Sequence, residues 1–177
     1  MRHLDFTLEQ WRIEYAASVA KYANNHKVAE SLRTGFPQPY TLKDAEEYIA
    51  RTTDIDPKSG YCRAIVVDGE AVGSIGVFFG DGEQCKCGEL GYWLGEPFWG
   101  RRIARSAVRQ ICKEVFSKYS IERIYAEPYS HNTASRKVLN YSGFTLEGVM
   151  RRDVYRRDGS FYDSCMYALL RDDFFLE

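Results

Sequence analysis

The chain has 177 residues and carries 24 Lys and Arg against 25 Asp and Glu, a formal net charge of −1 with a pI of about 6.3. The length suits one domain with one core, spanning residues 1–177, and the balanced charge gives no basic field of the kind DNA binding requires. The opening residues show no charged-then-apolar leader, and no apolar run approaches the roughly 20 residues of a membrane span, so a cytoplasmic protein with no membrane partner is expected.

In chain order, Leu8, Trp11, Tyr15, Val19 and Tyr22 recur at steps of three or four and predict an amphipathic first helix. A loop, SLRTGFPQPY, follows. TLKD then opens a second helix as a capping box at Thr41. From Tyr61 the period changes to two: a β-hairpin turns at Asp68-Gly69, and CGELGYWL is a third strand. A third helix runs to about Tyr119. The strand IERIYAEPY, the helix NTASRKVLNYSGF and two strands joined at Asp158-Gly159 complete the order ααβββαβαββ. This is an α/β pattern that a single mixed sheet flanked by helices accommodates.

Five cysteines, Cys62, Cys85, Cys87, Cys112 and Cys165, are expected as reduced thiols. CKC places Cys85 and Cys87 on one face of a predicted strand, but His3, His26 and His131 form no matching ligand pair, so no metal is expected. Cys112 falls on the buried stripe of the third helix with no histidine placed to activate it, and is rejected as a nucleophile.

The stretch GYWLGEPFWGRRIARSAV (residues 91–108) carries the chemistry. Its two glycines have the spacing of a nucleoside-triphosphate loop, but Arg-Arg stands where Lys-Ser/Thr is needed. Ile103, Ala107, Ile111 and Val115 bury one helical face, which leaves Arg101 and Arg102 at the helix start. Free backbone N–H groups and the positive dipole end already favour an anion there.

Four ordered blocks, SLRTGFPQPYTLKDAEEYI, GELGYWLGEPFWGRRIARSAV, NTASRKVLNYSGFTLEGVMR and YRRDGSFYDSCMYALL, resemble the GNAT acetyltransferase superfamily. The likeness is to its RimJ/RimL-like branch, which acetylates ribosomal-protein N-termini. It implies the GNAT fold, with a mostly antiparallel central sheet, and acetyl-CoA as ligand without a metal. The pyrophosphate would rest on backbone N–H groups of Gly100, Arg101, Arg102, Ile103 and Ala104, and the pantetheine arm along the strand ending at Trp93 and Leu94. Asn132 would contact that arm. Ser135 would sit near the thioester sulfur as a candidate proton donor, because Leu139 occupies the place where many relatives carry a tyrosine acid; a water relay or a stabilised thiolate are the alternatives. The branch often dimerises, so a homodimer is the oligomeric expectation. The family signature (Gln/Arg)-x-x-Gly-x-(Gly/Ala) aligns with residues 99–104, and Arg102 replaces its middle glycine. A helical Arg102 would cost nothing in φ, and binding is expected to survive the replacement.

The implied reaction is direct attack of a primary amine on the thioester. Deprotonating a lysine near pH 7.4 costs about 4 kcal/mol, whereas an α-amine costs under about 1 kcal/mol, so only the lysine needs a strong base. Glu89 is the first candidate base, on the same strand face as Gly91 and Trp93; the alternative is a solvent-facing strand glutamate. Asp153 is the second candidate. Phe36, Pro37 and Tyr40 are expected to wall the acceptor cleft, with core packing the alternative for Phe36. The acceptor is a protein N-terminus or a small amine. The rival reading is a non-catalytic acyl-CoA-binding or RNA-docking module on the same fold. The basic run RRDVYRR is read as a solvated hairpin face, the alternative being a contact for an acidic partner or ribosomal RNA.

Overall fold

A computed structural model describes residues 5–175. Its strands are β1 (Thr7–Glu9), β2 (Gly60–Val67), β3 (Glu70–Phe79), β4 (Cys87–Leu94), β5 (Arg123–Ala126), β6 (Thr145–Tyr155) and β7 (Phe161–Leu170). Its helices are α1 (Ala16–Ala23), α2 (His26–Glu30), α3 (Leu42–Thr53), α4 (Ile103–Lys118), α5 (Thr133–Tyr141) and α6 (Arg171–Phe175). Among the described residues the strands form one sheet in the order β1-β2-β3-β4-β5-β7-β6. Neighbours are antiparallel except β4 and β5, which run parallel. The mixed, mostly antiparallel α/β sheet matches the expectation.

The start of the chain differs from it. Thr7–Glu9 is a strand, pairing Leu8 with Ile65 on the open edge of β2, and a 3-10 turn at Ile13–Tyr15 leads into α1 only at Ala16. The four-residue steps of Trp11, Tyr15 and Val19 are real and all three are buried. Leu8 fits that spacing by coincidence; the unpaired backbone of β2 offers it ladder hydrogen bonds that a helix would forgo. Two short helices, α2 and α6, were not expected. Cys85 caps a 3-10 turn outside any strand, so it shares no strand face with Cys87.

Helices cover both faces. Against one, α1, α3 and the segment leading into α1 bury Trp11, Tyr15, Val19 and Ile49 on Ala64, Val66 and Trp93. Against the other, α4 buries Ile103, Ala107, Ile111 and Val115 on Ile65, Ile75, Leu90 and Leu94. Thr41 caps α3 with a reciprocal capping box to Asp44. Because α4 is anchored by this stripe, the position of its N-terminus is set by core packing. Replacing Ile111, which is fully buried, by alanine is expected to lower stability by about 2–5 kcal/mol in chemical denaturation.

Candidate active site

The parallel pairing of β4 and β5 covers only Cys87, Glu89 and the residue between them. Beyond Glu89, β4 keeps its register with β3 as far as Leu94. The chain after Ala126 stays instead with β7: Pro128 O accepts from Cys165 N at 2.9 Å, Ser130 N donates to Asp163 O at 2.8 Å, and Tyr129 bridges Ser164. Two strands therefore part in the middle of the sheet. Gly95 N–H bonds Val72 O at 2.8 Å and Gly80 N–H bonds Cys87 O at 3.0 Å. By antiparallel alternation the odd-numbered residues of β4 direct their backbone groups to β3, and the even-numbered ones direct theirs to the gap. The N–H groups of Tyr92 and Leu94 face the opening, while Leu94 O accepts from the Trp99 indole at 2.6 Å. A cleft of about 1220 Å³ runs through the split, larger than the roughly 300–1,000 Å³ usual for one small ligand.

At the end of β4 the chain makes a 3-10 turn (Glu96–Phe98) and enters α4. Trp99 N–H returns to Glu96 O and Ser106 N–H to Arg102 O, each at 3.1 Å. Between them the N–H groups of residues 100–105 have no protein acceptor among the described residues. These donors, at the positive end of a 16-residue helix, are an arrangement able to hold an anion. Gly100 has φ 73° and Arg102 φ 64°. Arg102 is thus the left-handed N-cap of α4 and not helical, which corrects the expectation that it would cost nothing in φ. A non-glycine residue there carries about 1–2 kcal/mol of strain. Arg102 is exposed, and it lines the cleft together with Arg105 and Lys137.

Across the split, α5 presents its own N-terminus. Asn132 caps it, Oδ1 accepting from Ser135 N at 3.0 Å, and the rest of its amide borders the cleft. Ser135 Oγ lies 2.7 Å from the Tyr92 hydroxyl. Leu139 is fully buried in the core.

The opposite face of the split has different chemistry. Glu89, Gly91 and Trp93 point to it together, and a Cβ on Gly91 would meet only the Phe78 ring, at 3.8 Å. Glu89 pairs with Tyr125 in the parallel register, which puts Glu127 on the same side two residues on. Arg33, from the loop between α2 and α3, donates to Glu89 and reaches Glu127 at 3.3 Å. Burial, then the Glu89 charge, push the Glu127 carboxyl above its usual value; Arg33 opposes the rise and the Asp153 charge adds to it. The loop is strapped down at Leu32 O, which accepts from Tyr129 Oη and Arg156 Nη1, both at 3.1 Å. Phe36 stacks on Tyr40 (4.9 Å between centroids) and meets Trp93 edge-on at 6.2 Å. Phe36 therefore both packs and lines the cleft. Burial pushes the Tyr40 hydroxyl up to about 12.

Asp153 stands behind the carboxylate pair, near enough for its charge to act on Glu127. It lies in an irregular stretch of β6, accepts from Ser164 N at 3.1 Å and Ser164 Oγ at 2.7 Å, and is not a lining residue of the cleft. Cys112 is completely buried and its thiol is pushed up by desolvation, as an inert core residue's would be. Among the described residues no group of three His, Cys, Asp or Glu could hold a metal, and no helix is long and apolar enough to cross a membrane; His3 lies outside the described residues.

Comparison with known proteins agrees with this geometry. The family profile described as an acetyltransferase (GNAT) domain matches residues 5–145. The chain belongs to the GNAT acetyltransferase family. An uncharacterized N-acetyltransferase of Bacillus licheniformis, p20, is 27% identical over 172 residues, covering 95% of this chain and 94% of its own. Among solved structures, the ribosomal-protein-S5-alanine acetyltransferase from Vibrio fischeri superposes with TM-score 0.83 at 21% identity, covering 98% and 96% of the two chains. Mycobacterium smegmatis RimJ, in complex with a CoA disulfide, gives 0.82 at 24% identity over 95% and 83%. As a GNAT enzyme the protein draws its acetyl group from acetyl-CoA. The unpaired N–H groups at the start of α4 and the open edge of β4 fit that donor.

Three residues at the split were not singled out in the sequence: Tyr92, Glu127 and Arg33. Tyr92 and Glu127 stood inside strands whose facing could be read by alternation, but which side held the donor could not. Arg33 comes from a loop whose path no periodicity reports. The left-handed Arg102 gives a direct test of the backbone at this helix start. Arg102→Gly is expected to raise the stability of the free enzyme by about 1 kcal/mol, visible as a higher melting temperature.

Proposed function

We propose that this GNAT enzyme acetylates the α-amine of a polypeptide or a comparably weakly basic primary amine, by direct attack within a ternary complex. The observation that carries the reading is the pair of carboxylates, Glu89 and Glu127, on the face of the split opposite Ser135. Acetyl-CoA supplies an activated acetyl thioester. The N–H groups of residues 100–104, with Arg101 and Arg102, hold its diphosphate; Asn132 and the edge of β4 at Trp93 and Leu94 take the pantetheine arm. The N–H groups of Tyr92 and Leu94 face the gap, where they can stabilise a developing oxyanion; one such donor is commonly worth about 3 kcal/mol.

The acceptor enters from the α1 and α3 side, between Trp93 and the loop bearing Phe36 and Tyr40. Its proton passes to Glu127, with Glu89 holding the cation in place. A carboxylate whose pKa lies above its usual value is a better base than an ordinary one, yet still far weaker than an ε-amine. That suits an α-amine, of which roughly a third is already neutral near pH 7.5. Ser135 donates to the sulfur as it leaves. The cleft is large enough for donor and acceptor together, which favours transfer over mere acyl-CoA binding.

Thiol release from acetyl-CoA should be followed across peptides with a free N-terminus, the same peptides with a blocked N-terminus and an internal lysine, and small amines. Free N-termini are expected to react best. A preference for the lysine side chain, or tight CoA binding with no acceptor-dependent release, would overturn the reading.

The pH profile of kcat/KM tests the base. Glu127 acts when deprotonated, so activity is expected to fall as pH drops through its raised pKa, above the ordinary 4.5. Glu127→Gln should remove that limb and lower the rate by about 10²-fold, leaving the separate limb from the acceptor amine. Arg33→Gln takes away the cation that opposes the rise, and should move the Glu127 limb to higher pH.

A further inference from the structure

Ser135 Oγ has one hydrogen-bond partner among the described residues, and it is another hydroxyl. Tyr92 Oη approaches it at 2.7 Å and the Ser135 carbonyl at 3.4 Å. Distance alone leaves the direction open, because either oxygen can donate. The surroundings decide it. Tyr92 lines the cleft and its hydroxyl reaches from β4 to Ser135 of α5; desolvation pushes that hydroxyl up to about 12, so its proton stays on oxygen. A buried phenol proton needs an acceptor, and the carbonyl at 3.4 Å is beyond the usual O–H···O range. The Ser135 oxygen is therefore the acceptor.

That assignment determines where the serine's own hydrogen can go. It cannot lie on the axis to Tyr92. Serine hydroxyls in helices commonly bond back to the carbonyl one turn earlier, but Ser135 sits three residues after the N-cap, and its hydroxyl makes no such bond among the described residues. The backbone N–H is already held by Asn132. The hydroxyl hydrogen is left directed into the cleft.

We propose that Tyr92 is a positioning residue for acetyl transfer: by donating to Ser135 Oγ it fixes the Ser135 O–H as a donor aimed at the sulfur that leaves. The inference rests on the proposed role of Ser135. The bond from acetyl carbon to sulfur breaks with its electron pair going to sulfur. Ser135 stabilises that thiolate by a hydrogen bond without losing its proton, the amine's proton goes to Glu127, and the thiol is reprotonated from solvent. No serine alkoxide or tyrosinate is required. The pair of hydroxyls thus replaces the missing tyrosine at Leu139 by a two-residue device drawn from β4 and α5.

A double-mutant cycle separates this from a packing role. Tyr92→Phe, Ser135→Ala and the double variant are compared for kcat, KM for acetyl-CoA, melting temperature and the titration of bound CoA, read from the ultraviolet absorbance of its thiolate. Tyr92→Phe is expected to lower kcat about fivefold to tenfold at nearly unchanged KM, and to have no further effect once Ser135 is alanine. The thiol of bound CoA should ionise at lower pH in the wild type than in either single variant, a readout that needs no turnover. Additive losses in the cycle, a loss confined to KM, or a bound thiol that titrates alike in wild type and Tyr92→Phe would overturn the proposal. If Ser135→Ala keeps full rate and an unshifted thiol, the role of Ser135 itself fails. If Ser135→Ala is slow while Tyr92→Phe is not, only the role of Tyr92 fails. Melting temperatures identify any variant whose loss comes from unfolding.

Discussion

The parting of β4 and β5 after Glu89 is the constraint on which the site depends. A parallel pair embedded in an antiparallel sheet places the ends of two neighbouring strands side by side, each followed by a crossover helix. The N-termini of α4 and α5 consequently converge on the same opening. Were the two strands to stay paired to their ends, ladder hydrogen bonds would consume the N–H groups of Tyr92 and Leu94 and no cleft would cross the sheet. The separation is held open from the other side. Pro128 contributes no N–H, and its carbonyl, with Ser130 and Tyr129, is taken by β7.

Strand alternation then divides the labour. On β4, Leu90, Tyr92 and Leu94 face α4 and α5, where backbone donors and hydroxyls dominate. Glu89 and Trp93 face the opposite way, where carboxylates, Arg33 and aromatic rings dominate. A period of two thus gives the two faces of one strand different chemistry. Under the proposed function, donor and acceptor each approach the face whose groups suit it.

Most of this architecture was legible in the sequence. The strands Thr145–Tyr155 and Phe161–Leu170 follow the predicted bounds, as does the capping box at Thr41. Hydrophobic period and turn chemistry are local and they dominate in these segments. Leu8 failed because the edge of β2, more than fifty residues away in the chain, competes for its backbone. The site was legible in proportion to how much of it is backbone. The row of backbone donors at residues 100–104 follows from a glycine and a helix start. The side chains that meet across the split, Arg33 with Glu127 and Tyr92 with Ser135, are 94 and 43 residues apart, and only the assembled sheet brings them together. Arg102 lay between these cases: its identity was a visible departure from the family signature, but its left-handed φ was not.

That left-handed turn also explains how the backbone donors can stand ready. Six N–H groups without a protein acceptor among the described residues would be intolerable in a core, but Gly100, Arg101, Arg102 and Arg105 are exposed, so water can serve those donors. What must not move is the frame behind them. The indole of Trp99 ties the loop to the end of β4 at 2.6 Å, and Ile103 buries the first turn of α4 beneath it. Two consecutive turns of opposite demands, one glycine and one strained arginine at positive φ, aim the donors outward while the chain on either side is anchored. The strain at Arg102 is then a local cost of presenting a guanidinium where the family signature has only hydrogen, and it is sustained because the core on both sides leaves the backbone no alternative path.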